Sequence, residues 1–364
     1  MRKYMVWFDF DNAPHVPVLL PVVKEMINRG YETIITARDK SETKELLYLN
    51  NENFKLIGKS FPKNKLLKLY YTFGRTFRLI HYLKKVCKKK INLSVNHCSR
   101  SALLASWLMR IPSVSLGDYE YANSIFQNIF ATRSLMPNVF ETGKLKTAGL
   151  RESKIDFYPG IKEQIYINQN IKNEDILESL GIDKYKIIIL FRPPSETAHY
   201  HNRQSEIIMR GILDKITEYK EKIFVILLPR TKEQGYDISN FIKLKSIPHM
   251  ILNKPLDGIN LILNSDLVFS GGGTITREAA VLGVPSYSFF QGKKGAVDEF
   301  LERRGRLNII YSIKDIENIK FEKKKIKKNI LFGNQKKIIS SICDRLEASI
   351  SFSILLISVL SIIP

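Results

Sequence analysis

The sequence predicts an α/β chain built as two doubly wound parallel-sheet domains facing a cleft. Three observations lead there. Short β-branched apolar runs alternate with segments of helical period from the first residues onward; the alternation lapses once, between Glu141 and Gln169; and it then resumes for six further strands. A chain of 364 residues with 44% hydrophobic content can fill two cores, which excludes disordered and fibrous classes.

Tyr4–Phe10 is a short apolar strand, Val16–Asn28 carries helical spacing that Gly30 ends, and Glu32–Ala37 is β-branched again, so the chain opens on a strand-helix-strand unit. A strand at Phe54–Ile57, a long basic helix from about Lys65 to Lys89, a strand at Ile91–Asn96, a helix over Ser99–Met109 and a strand at Ser113–Leu116 continue the series. Gly143, Gly149, Pro159 and Gly160 then break the period and mark a domain connection. The second series has strands at Lys186–Phe191, Lys222–Leu228, Met250–Leu252, Asp266–Ser270, Pro285–Phe290 and Asn308–Tyr311, with no sequence repeat between the halves. The resulting division is 1–160, 161–347 and an apolar tail, 348–364. In such folds ligands bind at the carboxyl ends of strands, and candidate residues are sought there.

The 57 Lys and Arg against 36 Asp and Glu give a net charge of +21, which calls for an anionic partner: nucleic acid, a membrane surface or a phosphorylated metabolite. The surplus is local. Between Asn53 and Gly117 there is no acidic residue, and the cations there interleave with Leu66, Leu67, Tyr70, Tyr71, Phe73 and Phe77, the mixture expected of an interfacial helix as well as of a packed helix with a solvated basic face. No nucleic-acid-binding motif accompanies it. Cys87, Cys98 and Cys343 form no metal or disulfide spacing, and Arg2 and Lys3 run into Asp9 before a signal-peptide core develops, so a reducing cytoplasm is expected. The uncharged stretch 348–364, with five serines, is short for a span and reads first as a buried terminal segment, with a membrane-associated tail and a loose extension as alternatives.

The most informative stretch follows the strand ending at Ser270. Gly271, Gly272 and Gly273 turn the chain into an Ala-rich helix near Thr274; glycines allow positive φ and close approach of backbone N–H groups, and a helix start favours an anion, so the turn suits a phosphate or diphosphate. It lacks the Gly-Lys-Ser/Thr ending of a P-loop. Together with Glu278 and the Gly283-Val284-Pro285 step, this turn resembles the GT-B superfamily of Rossmann-like glycosyltransferases, above all the peptidoglycan N-acetylglucosaminyltransferase and the UDP-N-acetylglucosamine 2-epimerases. The resemblance implies a nucleotide sugar held by the glycines and Thr274, its ribose by Glu278, with Gln291 and Lys293 at the donor sugar and Arg192 in the turn after the second domain's first strand. The whole chain is also similar to a largely archaeal GT-B-like family of unassigned function that opens Asp-x-x-Asn-x-Pro-His, here Asp9 to His15.

That opening ends the first strand with Asp9, Asp11, Asn12 and His15 clustered. The peptidoglycan enzyme has a glycine-rich loop ending His-Val-x-Pro in the matching place, whereas this chain reads His15-Val16-Pro17 without the glycines. His15, with Asp11, is the expected catalytic group, taking a proton from an acceptor hydroxyl or steering the donor phosphates. Asp9-x-Asp11 also looks like the start of a haloacid-dehalogenase-type phosphatase, where the first Asp is a nucleophile. His97, Asp118 and Glu120 are further cleft candidates and keep an epimerase or a nucleotide-sugar hydrolase open; plain capping and turn roles compete at each. His199 and His201 follow Arg192, but no matching ligand set completes a metal site.

The combined expectation is a metal-independent glycosyltransferase without cofactor, inverting, using a nucleotide-diphosphate sugar. Domain 1–160 lies on the acceptor side and 161–347 holds the donor. The enzyme would be cytoplasmic or peripheral on the inner face of the cell membrane, with an anionic surface or lipid-linked acceptor as partner rather than nucleic acid. A non-catalytic nucleotide-sugar sensor is the binding-module alternative.

Overall fold

The computed structural model describes residues 4–40, 42–60, 65–121, 124–167, 175–194, 203–252, 258–324 and 335–360. The chain divides into two compact units at Tyr166/Ile167, and its last helix returns to the first unit.

In the first unit, β1 (Met5–Phe10), α1 (Val16–Asn28), β2 (Glu32–Asp39), α2 (Thr43–Leu49), β3 (Lys55–Lys59), α3 (Lys65–Val86), β4 (Ile91–His97), α4 (Arg100–Leu108), β5 (Ser113–Leu116), α5 (Ile125–Phe130), β6 (Arg133–Pro137), α6 (Thr142–Thr147), β7 (Ile155–Tyr158) and α7 (Glu163–Tyr166) follow in order. The seven strands are all parallel, in the order β3-β2-β1-β4-β5-β6-β7. β1 lies at its interior, and Val6, Trp7, Phe8 and Phe10 are buried on both faces, as helices covering both sides of a parallel sheet require. β6 and β7 extend the sheet into a stretch without clear period: each is only four or five residues, one ending in Pro137 and the other followed by Pro159 and Gly160.

The second unit contains α8 (Ile176–Ser179), β8 (Ile187–Arg192), α9 (Arg203–Thr217), β9 (Ile223–Leu227), α10 (Lys232–Leu244), β10 (His249–Ile251), α11 (Gly258–Leu263), β11 (Leu267–Ser270), α12 (Gly273–Leu282), β12 (Ser286–Ser288), α13 (Ala296–Arg303) and β13 (Asn308–Ile309). Its six parallel strands run β10-β9-β8-β11-β12-β13, the doubly wound order with its reversal between β8 and β11. Phe191, Phe269 and Phe289, one from each of three adjacent strand ends, stack in its core.

The last helix, α14 (Gln335–Leu360), corrects the expected boundary at 347. It runs unbroken through residue 348 and packs on α1 and α7 of the first unit. Ile338, Ile342, Leu346 and Ile350 are buried at four-residue intervals, so one continuous face is apolar across the supposed junction. What changes at 348 is the solvent face, whose exposed described positions are then the uncharged Ala348, Ser351 and Phe352. Arg29 at the end of α1 clamps the helix, donating to Asp344 (2.7 Å), Glu347 (2.9 Å) and the Ser340 hydroxyl (2.8 Å). Among the described residues no helix is long and apolar enough to cross a membrane.

Candidate functional site

Each sheet reverses its winding once, and the residues singled out in the sequence gather at those two points. In the first unit the reversal lies between β1 and β4, where Asp9 pairs in register with Asn96.

Asp9 and Arg75 have no exposure at all. The Arg75 guanidinium donates to both carboxylate oxygens (2.7 and 2.9 Å) and through Nε to the Ile57 carbonyl (2.8 Å). Thr36 donates to Oδ1 (2.6 Å) and Ser99 to Oδ2 (2.7 Å). The Arg75 stem crosses Gly58, which sits at φ +88°; a Cβ there would lie 3.0 Å from its Cδ, so glycine serves both the backbone angle and the passage of the side chain. Burial opposes the Asp9 charge, but Arg75 and the Thr36 and Ser99 hydroxyls outweigh it and hold the carboxyl below the usual range. A sealed carboxylate with both oxygens engaged cannot attack phosphorus, which removes the dehalogenase-type reading.

Asp11, expected to be catalytic, is engaged as well. Arg38 donates to its backbone carbonyl (2.9 and 3.1 Å) and to Oδ2 (2.9 Å), and Arg75 lies 3.5 Å from Oδ1. Burial raises its pKa against the pull of both arginines. Asp11 is thereby tied to Arg38 at the start of the loop after β1.

His15 ends a short 3₁₀ turn, Ala13–His15, whose entry is Asn12: the Asn12 carbonyl accepts from His15 N–H (3.0 Å) and its side chain makes no cap. The His15 ring stacks on His97 with centroids 4.4 Å apart and planes 25° from parallel. Nδ1 of each ring is buried with no hydrogen-bond partner among the described residues. Burial, and after it His97, pushes His15 well below the usual histidine range, and burial lowers His97 too, so both imidazoles are neutral near pH 7. Asp118, after β5, comes within 3.9 Å of His97 Nε2 and is ion-paired with Lys162. Glu120, expected beside it, is 1% exposed. Arg38, Arg75 and Lys162 are absent from the sequence-based candidates. Arg75 had a signal: Thr72, Arg75, Thr76, Leu79 and Leu83 form the buried ridge of α3, and a charge on such a ridge needs a buried counter-charge.

In the second unit the reversal lies between β8 and β11, which pair Arg192 with Ser270. Gly271 N–H donates to the Arg192 carbonyl (3.1 Å) and Gly272 N–H to Ser270 Oγ (3.0 Å). None of the three turn glycines has positive φ, so the expected backbone reason does not hold. Their reason is contact. A Cβ on Gly271 would lie 2.7 Å from Pro194 Cα and 2.9 Å from the Phe289 ring, one on Gly272 2.6 Å from an Arg230 guanidinium nitrogen, and one on Gly273 3.1 Å from Arg277. α12 starts from Gly272 with no side-chain cap. Thr276 bonds back to the Gly272 and Gly273 carbonyls, while Thr274 is exposed at the helix start. The first-turn amides and the helix dipole thus point out beside Arg230, which sequence reasoning missed although it follows β9. Arg192 Nε is buried with no partner among the described residues.

Glu278 lies one turn beyond Thr274, half-buried. Gly283, at φ 78°, ends α12 in the left-handed region and leads through Val284 and Pro285 into β12. Arg277 is committed to a two-pronged pair with Asp298 (2.7 and 2.8 Å). Gln291 donates to the Ile310 carbonyl (2.8 Å), a structural bond that competes with a sugar contact, and Lys293 is exposed in the following turn. Among the described residues no three His, Cys, Asp or Glu side chains converge as metal ligands; His199 and His201 lie outside the described residues.

The chain is similar to the uncharacterized protein MJ0665 of Methanocaldococcus jannaschii, 26% identical over 325 residues that cover 86% of this chain and 89% of that protein. It is similar to the UDP-N-acetylglucosamine 2-epimerase of the same organism, 24% identical over 300 residues covering 75% and 80%. The crystal structure of the M. jannaschii UDP-GlcNAc 2-epimerase in complex with UDP-GlcNAc and UDP superposes with a TM-score of 0.67 at 17% identity, covering 94% of this chain and 99% of that one. The architecture is accordingly that of the GT-B-like proteins, with two Rossmann-like domains. Over residues 4–348, nearly its whole length, the chain matches DUF354, described as a protein of unknown function, and it belongs to that family.

Proposed function

We propose that this chain binds a nucleotide-diphosphate sugar on its second unit and transfers the sugar to an acceptor hydroxyl with inversion. The observation that carries the reading is the turn Gly271–Gly273, closed against Pro194 at Gly271 and opening an uncapped helix beside Arg230, with Arg192 paired to Ser270 at its entry. That assembly presents backbone N–H groups and positive charge to a diphosphate. Glu278 is the acceptor for two ribose hydroxyls. As the acceptor oxygen bonds to the anomeric carbon, the bond from that carbon to the diphosphate breaks, the hydroxyl proton passes to a general base, and the arginines and the helix start stabilise the departing nucleoside diphosphate.

A second reading, epimerisation of the bound sugar nucleotide, draws support from the similarity to a UDP-N-acetylglucosamine 2-epimerase. One experiment separates the outcomes. Pure protein is incubated with UDP-, GDP- and CDP-sugars, with and without lipid phosphates, and products are resolved by chromatography and mass spectrometry. Transfer yields nucleoside diphosphate and a heavier acceptor; epimerisation yields an isomer of unchanged mass; hydrolysis yields free sugar; binding without turnover indicates a sensor. Calorimetry showing no affinity for any sugar nucleotide would refute both readings.

A further inference from the structure

We infer that the outer face of α3 and the basic groove at its carboxyl end form a docking surface for an anionic lipid bilayer. The inference rests on the first unit alone and stands independently of the nucleotide-sugar reading.

The buried ridge of α3 is set by Thr72, Arg75, Thr76, Leu79 and Leu83. At 100° per residue, the pole opposite that ridge carries Leu67, Tyr70, Phe73 and Phe77, followed by His81 and Lys84. A water-facing pole is expected to be polar. Here Tyr70 is 73% exposed, Phe77 62%, Leu67 48% and Phe73 44%, so four large apolar side chains stand in one outward row about three turns long. The helix is also anchored at its middle by the sealed Arg75–Asp9 pair, which holds the row rigidly against the sheet.

The row ends at a groove of about 270 Å³ whose floor is Leu83, Ile91 and Ile111 and whose rim carries Lys84, Lys89, Lys90 and Arg110. Lys89 leans on Glu32 (2.8 Å). The sequence from Asn53 to Gly117 holds no carboxylate that could answer the remaining cations. An apolar row flanked by cations, continuing into an apolar floor with a cationic rim, matches a bilayer boundary: rings enter the headgroup layer while lysine stems stretch to phosphates. A second copy of the chain fits poorly, because apposing two such faces sets Lys84, Lys90 and Arg110 against the same cations of the other copy. A nucleic acid would answer the charge but leave Leu67 and Phe77 without a purpose.

The test is co-sedimentation of the full chain with vesicles of phosphatidylcholine alone or with phosphatidylglycerol at about 7:3, over a range of salt. Expected is binding to the anionic vesicles only, falling with salt. Tyr70→Ser/Phe73→Ser/Phe77→Ser and Lys84→Gln/Lys90→Gln/Arg110→Gln should each lower partitioning by about 100-fold, with circular dichroism showing both folded. Phe77→Trp should show a blue shift in emission on binding. Undiminished binding by both triple variants overturns the proposal, as does loss of binding on deleting residues 353–364 alone. Retention of a short RNA but not of vesicles, or a concentration-dependent dimer with no vesicle binding, overturns it in favour of those partners.

Discussion

Replacing Asp9 by alanine removes the counter-charge of a guanidinium that has no access to water. In the variant Arg75 keeps its bond to the Ile57 carbonyl and the Asp11 oxygen at 3.5 Å, but loses two charged bonds of 2.7 and 2.9 Å, and the Thr36 and Ser99 hydroxyls lose their acceptor. Breaking one side of a buried pair costs about 3–5 kcal/mol, against a total near 5–15 kcal/mol for a domain. With a urea slope of about 2 kcal/mol per molar, the midpoint of the first unit should fall by about 2 M. Asp9→Leu combined with Arg75→Met removes both charges and should recover much of the loss, since a buried pair is often no better than apolar side chains of similar volume. Urea unfolding followed by circular dichroism, run as a double-mutant cycle, reads the coupling directly. A single variant within about 1 kcal/mol of wild type, or a coupling near zero, would refute the pair as the anchor of α3.

The same pair has a pH signature. Because the Asp9 carboxyl is held below its unfolded value, the stability it contributes is present above about pH 4 and is lost as pH falls through the folded pKa. Asp11, shifted upward, acts in the opposite sense and costs stability as pH rises past its ordinary value. Asp9→Asn should therefore flatten the acid limb of the stability curve, and Asp11→Asn should not.

The glycine turn allows a paired comparison. Gly271→Ala meets the Pro194 backbone and should destabilise the second unit by about 1–3 kcal/mol, while Gly272→Ala meets only the mobile end of Arg230 and should leave the melting curve intact but weaken nucleoside-diphosphate binding in calorimetry. Glu278→Ala should weaken nucleotide binding by about 1.5–3 kcal/mol with the fold preserved; unchanged affinity for every nucleoside diphosphate would take Glu278 out of the site. His15→Ala should lower turnover by about 10²–10⁴-fold with donor affinity near normal, and the wild-type acid limb should fall below about pH 6.5 because burial keeps the imidazole neutral. Arg29→Ala should loosen α14 from α1, seen as faster amide exchange over Ile338–Ile350 with no change in the second unit.

What was legible in the sequence was the place where one period gives way to another. Asp9 to His15, Asn96 to Ser99, Arg192 and Gly271 to Thr274 all stand where a period of two turns into a helical one, which marks a strand's carboxyl end before any topology is known. Their partners were not legible, because partners are assigned by strand order. Arg38 reaches Asp11 because β2 lies beside β1 with Phe10 opposite Ala37, and Lys162 reaches Asp118 because the chain returns along β7. The assignment of α14 to the first unit escaped for a related reason: an i, i+4 stripe says that a helix has an apolar face, not which neighbour covers it.

The two reversal points also differ in what they leave unanswered. At the first, the acids are taken up internally: Asp9 by Arg75, Asp11 by Arg38, Asp118 by Lys162. The buried atoms there that lack partners among the described residues include Nδ1 of both neutral imidazoles and Nδ2 of Asn96. At the second, the open capacity is positive: an uncapped helix start and the buried Nε of Arg192. Buried polar atoms without protein partners are costly unless a water, an ion or a ligand answers them. An anion matches the positive capacity of the second set, which is the part the proposed donor diphosphate would take.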